Sequence, residues 1–136
     1  MRYEPYEDEY AAVPNMTDAE LLEYFLYRFF ETEEIWGLKE NAFSWVTREI
    51  NGQVTQPIWP YKRYANEAAV GDWEGFVPVA ESLEFFLETS LHQLVAQDVL
   101  LEVMPRKFEA GCLISAQRLC GIMEGMMESG EYTLDG

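Results

Sequence analysis

The sequence predicts an α+β fold: a single compact domain in which an antiparallel sheet of about four to five strands is covered by about four helices. Segments with the apolar spacing of helices alternate with short segments rich in aromatic and β-branched residues. The pair Asn51-Gly52 is typical of a two-residue turn between antiparallel strands. The chain has 136 residues, 49% of them hydrophobic, which is enough for one domain to bury a core without disulfides.

We expect this domain to cover residues 17–128. Residues 1–16 form an acidic, tyrosine-rich N-terminal segment before it, and residues 129–136 form a C-terminal tail after it. The tyrosines of the N-terminal segment have helical spacing, so a short amphipathic helix is one interpretation of that segment. Because so short a helix is only marginally stable by itself, a mobile segment is the other interpretation.

The first helix of the domain is predicted from Thr17 to about Glu31. Thr17 and Glu20 have the spacing of a capping box, in which each side chain accepts a hydrogen bond from the backbone N–H of the other residue. The apolar face of this helix comprises Leu21, Leu22, Phe25, Leu26, Phe29 and Phe30. We assign this face to the core, because leaving so many large side chains in water would be costly.

A β-hairpin is predicted after this helix. The segments predicted as strands are 34–39, 43–50 and the one that ends at Trp59. If Asn51-Gly52 is the whole turn, Ile50 faces Gln53 across the hairpin. This register would place Trp45 opposite Ile58, an aromatic and β-branched pair that stabilises antiparallel strands.

The third strand is predicted to pass directly into a helix at Pro60. Proline lacks an N–H and has a fixed φ, and both properties suit the first position of a helix. The helix is predicted from Pro60 to about Val70. Its buried face comprises Tyr61, Tyr64, Ala65 and Ala68, and its exposed face comprises Lys62, Arg63, Asn66 and Glu67.

The second half of the chain mixes helices and strands. The predicted elements are an irregular segment over 71–80, a helix from Ser82 to about Ala96, antiparallel strands over 99–104 and 111–114, and a helix from Ser115 to about Glu128. Pro78 argues against a central strand in the irregular segment, because proline cannot donate to a ladder. Ser82 and Ser115 are suitable N-caps for the two helices.

Several motifs occur in a characteristic order between Leu22 and about Met127. They are the strand Ile35-Trp36-Gly37-Leu38-Lys39, the sequence PIWPYKRYA that begins at Pro57, the sequence WEGF that begins at Trp73, the sequence SLEFFL that begins at Ser82, and Val103-Met104-Pro105. Their order and spacing resemble the bacterial domain-of-unknown-function family 2750. The aromatic residue and the glycine that the family pattern places near Ser90 and Asp98 are absent here. The resemblance implies a compact α+β domain and no particular activity.

The charge of the chain is strongly acidic, with a formal net charge of −16 at pH 7. Such a charge repels nucleic-acid phosphates and anionic membrane surfaces, so we expect neither as a partner. An acidic surface that mimics DNA is an alternative, although most acidic surfaces are merely solvated. The sequence shows no signal peptide after Met1 and no apolar run long enough to cross a membrane, so we expect a cytoplasmic protein.

Residues suited to catalysis or metal binding are few. His92 is the only histidine, which excludes every site that needs two. Ser90 and His92 lie two residues apart on one predicted helix, so their side chains face different directions and cannot form a nucleophile–base pair. Cys112 and Cys120 are not in a C-x-x-C arrangement and are interpreted as buried thiols. We therefore predict no catalytic residue, no metal site and no cofactor.

One region of this acidic chain is locally basic. Between residues 39 and 63 the basic residues are Lys39, Arg48, Lys62 and Arg63, whereas the acidic ones are only Glu40 and Glu49. A basic region attracts anionic ligands or acidic segments of partners. The N-terminus of the helix at Pro60 would add backbone N–H donors there. The alternative is that these side chains pair with neighbouring carboxylates.

Two functions follow from these observations. The first is a protein-binding or regulatory module without catalytic activity, because no catalytic constellation is found. The second is a small-ligand-binding protein or enzyme that uses a pocket near Trp59, Arg63 and Trp73. The candidate contact residues are Trp59, Tyr61, Lys62, Arg63 and Trp73, although we expect Trp59 to lie in the core.

The partners expected from the sequence are a protein of unknown identity and, weakly, a second copy of the chain. Met123, Met126 and Met127 form an adaptable surface of the last helix that suits a homodimer. Packing of this helix onto the sheet would use the same side chains, so a monomer is the alternative.

Overall fold

The computed structural model describes residues 4–40, 45–106 and 109–129. The α-helices are α1 (Glu7–Ala12), α2 (Asp18–Thr32), α3 (Lys62–Ala68), α4 (Leu83–Phe85), α5 (Leu91–Ala96) and α6 (Ala116–Glu128). Short 3₁₀ turns cover Val13–Asn15 and Gly71–Trp73, and a π-helical segment, Phe86–Ser90, joins α4 to α5. The strands are β1 (Glu34–Lys39), β2 (Arg48–Ile50), β3 (Gln53–Ile58), β4 (Val77–Ser82), β5 (Leu100–Val103) and β6 (Cys112–Ser115). The predicted α+β class is confirmed.

The strands form two sheets, which corrects the prediction of one antiparallel sheet. β1 and β4 make an antiparallel pair, and the other sheet has the order β2-β3-β5-β6. β3 and β5 are parallel. Parallel strands require a long crossover, and here the chain between them forms three helices and β4. A bridge between Trp36 and Trp59 joins the two sheets, with N···O distances of 2.8 and 2.9 Å between their backbones.

The β2–β3 hairpin has the predicted turn. Ile50 faces Gln53, and both Asn51 and Gly52 have positive φ, at 53° and 81°. Positive φ at both central residues is the geometry of the type I′ turn. The predicted start of the preceding strand, at residue 43, lies outside the described residues.

The predicted pair of Trp45 and Ile58 is wrong, because continuous β2–β3 pairing stops at Arg48. Trp45 instead forms a bridge with Lys39 of β1. Its ring lies against Gly37, where a Cβ would come within 2.8 Å of two ring atoms. The Lys39 ammonium lies 4.4 Å from the centroid of the same ring. The tryptophan thus packs on the first sheet, where a glycine leaves room for it.

The predicted helix starts at residues 17, 82 and 115 are confirmed. Thr17 Oγ1 accepts from Glu20 N–H at 3.2 Å, and Glu20 Oε1 accepts from Thr17 N–H at 3.0 Å, which completes the capping box. Ser82 and Ser115 each accept a hydrogen bond from the backbone N–H three residues later, both at 3.1 Å. Each cap satisfies a donor that the helix itself leaves without an acceptor.

Helix α3 has the predicted buried face but is shorter than predicted at both ends. Tyr61, with φ −135° and ψ 145°, is its extended N-cap, so Pro60 lies before the helix rather than in its first turn. The helix ends at Ala68, whose carbonyl accepts from Val70 N–H at 2.8 Å. A turn therefore replaces the last residues of the predicted helix.

The prediction that residues 71–80 are irregular is wrong from Val77 onward. Residues Val77–Ser82 form β4, in which Pro78 lies opposite Leu38 of β1. β1 is the only strand beside β4 in its two-stranded sheet among the described residues. Proline is tolerated in a strand with one ladder partner, because its missing N–H can face away from the ladder.

The core is one cluster of buried side chains between the helices and the sheets. Phe29 of α2 is fully buried and lies 5.4 Å from Phe25 and 5.6 Å from Phe86, measured between ring centroids. Met123 of α6 is also fully buried, whereas Met126 is half-buried and Met127 is 40% exposed. The methionine surface expected for self-association is therefore reduced to its last two members.

Gly111 lies where any side chain would collide with backbone. An added Cβ would be 2.3 Å from the Val103 carbonyl oxygen and 2.6 Å from Pro105 N. We expect Gly111→Ala to lower the free energy of unfolding by about 1–3 kcal/mol, the usual cost of overpacking. Gly121→Ala is the matched control, because nothing lies within 4 Å of its added Cβ in exposed helix. It should raise stability by up to about 1 kcal/mol. Urea unfolding measures the stability of both variants. Equal changes in the free energy of unfolding would contradict a steric clash at position 111.

Candidate functional site

A cleft of about 910 Å³ opens beside the second sheet, and we call it the aromatic cleft. It lies between residues 45–48, the segment after α3 and the segment after β5. Its apolar lining includes Trp45, Val46, Ala68, Trp73, Phe76 and Pro105, most of them buried. The exposed carboxylates of Glu40, Asp72 and Glu109 also line it. The cleft therefore combines an apolar floor with an acidic rim.

An ion pair with a buried carboxylate fixes one wall of the aromatic cleft. Arg48 reaches from β2 across β3 to Glu102 of β5, whose side chain is fully buried. Arg48 Nε donates to Glu102 Oε1 at 2.9 Å, and its Nη2 donates to Glu102 Oε2. Gly111 N–H donates to Glu102 Oε2 at 2.9 Å. Three donors thus compensate the buried carboxylate, as a buried charge requires.

Two tryptophans support the floor of the aromatic cleft. The Arg48 guanidinium lies 4.8 Å from the centroid of the Trp73 ring, a cation–π contact. Trp73 in turn packs edge-on against Trp59, with ring centroids 6.1 Å apart. Trp59 is fully buried, and its Nε1 donates to the Pro105 carbonyl at 2.8 Å. These contacts fix the position of the Trp73 ring in the floor of the cleft.

A second cavity of about 670 Å³ lies between the N-terminal segment and α3, and we call it the tyrosine cavity. Tyr10 of α1 stacks on Tyr64 of α3, with ring centroids 5.9 Å apart. The Arg63 guanidinium lies 3.6 Å from the Tyr10 ring centroid, and the Tyr10 hydroxyl donates to Glu67 at 2.5 Å. The hydrogen bond to Glu67 and burial raise the pKa of Tyr10. Tyr10 thus holds α1 on α3.

A further contact of the N-terminal segment fixes α1 on α2. Arg28 Nε donates to Glu9 Oε2 at 3.0 Å. Burial raises the pKa of Glu9, but hydrogen bonds from Tyr24, from the Tyr6 backbone and from Arg28 outweigh burial and hold that pKa below its ordinary value. Burial and the hydrogen bond with Tyr64 raise the pKa of Tyr24. The network ties α1 to two other helices.

The aromatic cleft and the tyrosine cavity share part of their lining: Val70, Arg106 and Glu109. Arg106 Nη1 lies 3.2 Å from Glu109 Oε2, and Arg106 Nη2 donates to the Ala110 carbonyl at 2.8 Å. Arg106 Nη1 also approaches the Pro14 carbonyl at 3.5 Å. The Arg106–Glu109 pair is therefore the partition between the two spaces.

Comparison with protein families assigns the chain to a known group. A family model described as a protein of unknown function (DUF2750) matches residues 22–121. The chain belongs to this family. A search of curated proteins finds no significant match. The DUF2750 match includes both sheets and every residue that lines the aromatic cleft, whereas α1, which carries Tyr10, lies outside it.

The structure separates the residues that the sequence proposed as contacts in this DUF2750 chain. Trp59 and Tyr61 are 0% and 1% exposed, so both belong to the core. Trp73 lies under the aromatic cleft, whereas Lys62 and Arg63 line a third cavity of about 550 Å³. None of the cavities described here is lined by both Arg63 and Trp73. The three residues expected to share one pocket are therefore separate: Trp59 is in the core, Trp73 lines the aromatic cleft, and Arg63 lines the third cavity.

The locally basic region is also divided, and three of its four basic side chains have carboxylate or aromatic neighbours. Arg48 pairs with Glu102, and Lys39 lies over Trp45. Arg63 lies 3.5 Å from Glu67. These contacts favour the alternative in which the basic side chains pair within the chain. Helix α3 has seven residues and begins after Pro60, so the predicted helix N-terminus with its backbone N–H donors is not at Pro60.

The described lining of the aromatic cleft holds few groups suited to covalent catalysis. It contains no His, Cys or Ser, and Thr47 supplies its one hydroxyl. His92 is exposed on α5, and burial raises the pKa of the Cys112 and Cys120 thiols. The described residues contain no group of three or more potential ligands that would hold a metal ion. Within the same residues no helix has the length and apolar character to cross a bilayer.

Sequence reasoning missed Glu102 and the residues around the partition. Glu102 is the single charged residue between Leu100 and Met104, and a lone carboxylate in an apolar strand is a signal of a buried ion pair. Its partner, Arg48, was identified only as part of the basic region. Asp72, Arg106 and Glu109 carry no local signal, because charged loop residues are common.

Proposed function

We propose that this DUF2750 protein is a binding module without catalytic activity that holds a basic segment of a partner protein in the aromatic cleft. The observation that carries this proposal is the combination of an apolar, aromatic floor with exposed carboxylates at Glu40, Asp72 and Glu109. A basic segment can bury the methylene stems of its lysines and arginines on the floor while their cationic ends reach the rim.

The charges of the cleft support a cationic occupant. The two guanidinium groups in its lining already have carboxylate partners, Arg48 with Glu102 and Arg106 with Glu109. Glu40 and Asp72 add two further negative charges at the rim. The net charge of the whole chain, −16, extends the same attraction beyond the cleft and speeds encounters with a basic partner. The same charge disfavours nucleic acids and anionic membranes.

A small ligand in the same cleft is the second candidate function. The volume of about 910 Å³ falls within the range of small-molecule sites, and the Arg48–Trp73 contact suits a planar anionic group. The excess of carboxylates over unpaired guanidinium groups in the lining favours the basic segment over this anion.

A charge-reversal experiment tests the proposal. The probe is the peptide Ac-Lys-Arg-Lys-Arg-NH₂, titrated into ¹⁵N-labelled protein and followed by amide chemical shifts. We expect shifts in residues 46–48 and 71–73, and the double variant Glu40→Lys/Asp72→Lys should weaken binding roughly threefold to tenfold. The matched control is Glu23→Lys/Glu84→Lys, which changes net charge equally at exposed positions outside the cleft lining.

The control separates a site from general attraction. Equal weakening in the two double variants would show that only net charge matters and would contradict the proposal. Tighter binding of Ac-Glu-Asp-Glu-Asp-NH₂ than of the basic peptide would instead favour the anionic ligand. Both variants should unfold at the wild-type urea midpoint, because exposed substitutions have small effects on stability.

A further inference from the structure

We infer that the tyrosine cavity belongs to the same binding site and takes an aromatic or large aliphatic anchor residue of the partner segment. This inference rests on the proposed function and extends it from a basic segment to a basic segment with an apolar anchor. The partner is then recognised by two features at a fixed separation, which is more selective than charge alone.

The composition of the tyrosine cavity fits an apolar side chain. Its walls are formed by Ala11, Val13 and Pro14 from the N-terminal segment and by the Tyr64 ring and Val70. Glu67 and Glu109 lie at its polar edge. Apolar pockets with a few polar groups at the edge are the usual receptors for the anchor residues of bound peptides.

The two spaces adjoin at the partition. Val70, Arg106 and Glu109 line both, so a segment bound in the aromatic cleft can reach the tyrosine cavity by passing over these three residues. Glu109, which pairs with Arg106, lies at the edge of both spaces, and Glu67 lies at the edge of the tyrosine cavity. An extended peptide can follow that path with its basic residues on one side of Arg106 and its anchor on the other.

The wall built by α1 is already in place before a ligand binds. Tyr10 stacks on Tyr64, donates to Glu67 and lies under Arg63, and Glu9 pairs with Arg28. These contacts order the N-terminal segment at no cost to binding, which increases affinity for a given contact area.

Arg106 is an independent indication that the partition serves binding. Its Nε–H is buried and has no hydrogen-bond acceptor among the described residues. A buried donor without an acceptor lowers stability. Unsatisfied groups that lower stability tend to lie at functional sites, and this one lies between the two spaces.

The family comparison adds a consequence for specificity. The match to DUF2750 begins at Leu22, so Ala11, Val13 and Pro14 lie outside it, whereas the aromatic cleft lies within it. Recognition of the basic part of the ligand thus belongs to the family domain. The anchor residue would contact both the family domain and the N-terminal segment that lies outside the match.

A peptide panel tests the inference. In each peptide one to four glycines separate a single tryptophan from the sequence Lys-Arg-Lys-Arg, and a second set has alanine in place of the tryptophan. Binding to the whole 136-residue chain is measured by isothermal titration calorimetry at constant salt. At one spacer length, the tryptophan peptide should bind at least about tenfold more tightly than its alanine counterpart, because a buried indole adds apolar contact.

Filling the tyrosine cavity should remove this gain in affinity. Ala11→Trp places a large side chain at the cavity wall, and Ala19→Trp is the matched control on an exposed position of α2 outside both spaces. The tenfold difference in affinity between the tryptophan and alanine peptides should disappear in the first variant and persist in the second.

The outcomes distinguish this inference from the proposed function. If no basic peptide binds, both are overturned. If the basic peptides bind at the aromatic cleft with no gain from tryptophan at any spacer length, the inference fails while the proposed function stands. A gain that survives Ala11→Trp also overturns it, because the anchor then binds elsewhere.

Discussion

Replacement of Trp59 with alanine is expected to lower the free energy of unfolding by about 3–5 kcal/mol, the usual cost of truncating a buried aromatic residue. Trp59 is 0% exposed, packs against Trp73, and donates to the Pro105 carbonyl. The variant loses the apolar contacts and leaves that buried carbonyl without its donor. A loss of this size is a large part of the stability of an ordinary domain.

Urea unfolding followed by circular dichroism measures the effect. Lys62→Ala is the control, because Lys62 is exposed on the outer face of α3 and should leave the midpoint unchanged. Arg63 is less suitable as a control than its position in the sequence indicates, since its guanidinium lies on the Tyr10 ring. A Trp59→Ala protein with a wild-type midpoint would show that the indole is not a core element.

Replacement of Arg48 with methionine should destabilise the protein by a similar amount, about 3–5 kcal/mol, because it leaves a buried carboxylate without its partner. Glu102 is fully buried, and after the change only Gly111 N–H would still donate to it among the donors described above. The methionine keeps the apolar stem of the arginine, so the loss measures the charge rather than the packing.

The two members of this pair should not be equivalent. The Arg48 side chain is 39% exposed, whereas Glu102 is 0% exposed. In Glu102→Met the guanidinium can turn toward water, so this variant should lose less stability than Arg48→Met. The double variant Arg48→Met/Glu102→Met should recover much of the loss, since apolar replacement of a buried pair is often neutral. Equal losses in both single variants and no recovery in the double variant would contradict this account.

Local features of the fold could be predicted from the sequence. The capping box at Thr17, the serine caps and the Asn51-Gly52 turn depend on residues three or fewer positions apart. The buried face of α3 follows from helical spacing alone. Each of these depends on short-range chemistry, which the sequence displays directly.

Features set by distant segments could not be predicted in this way. Two examples are the parallel pairing of β3 with β5 and the packing of the Trp45 ring against Gly37, which both depend on contacts between segments that the fold brings together. Arg48 and Glu102 are 54 positions apart, and nothing near either residue identifies the other. The candidate site is likewise assembled from the segments after β1, α3 and β5.

The parallel pair also determines when the second sheet can be completed during synthesis. The ladder partner of β3 is β5, and β3 leaves the ribosome before α3, β4, α4 and α5. Until Leu100 emerges, the nascent chain holds the β2–β3 hairpin with one side of β3 unpaired. An unpaired strand edge next to apolar surface is a template for wrong association. Completion of the sheet during synthesis therefore waits for the last third of the chain, and unfinished chains are the form of this protein most exposed to aggregation.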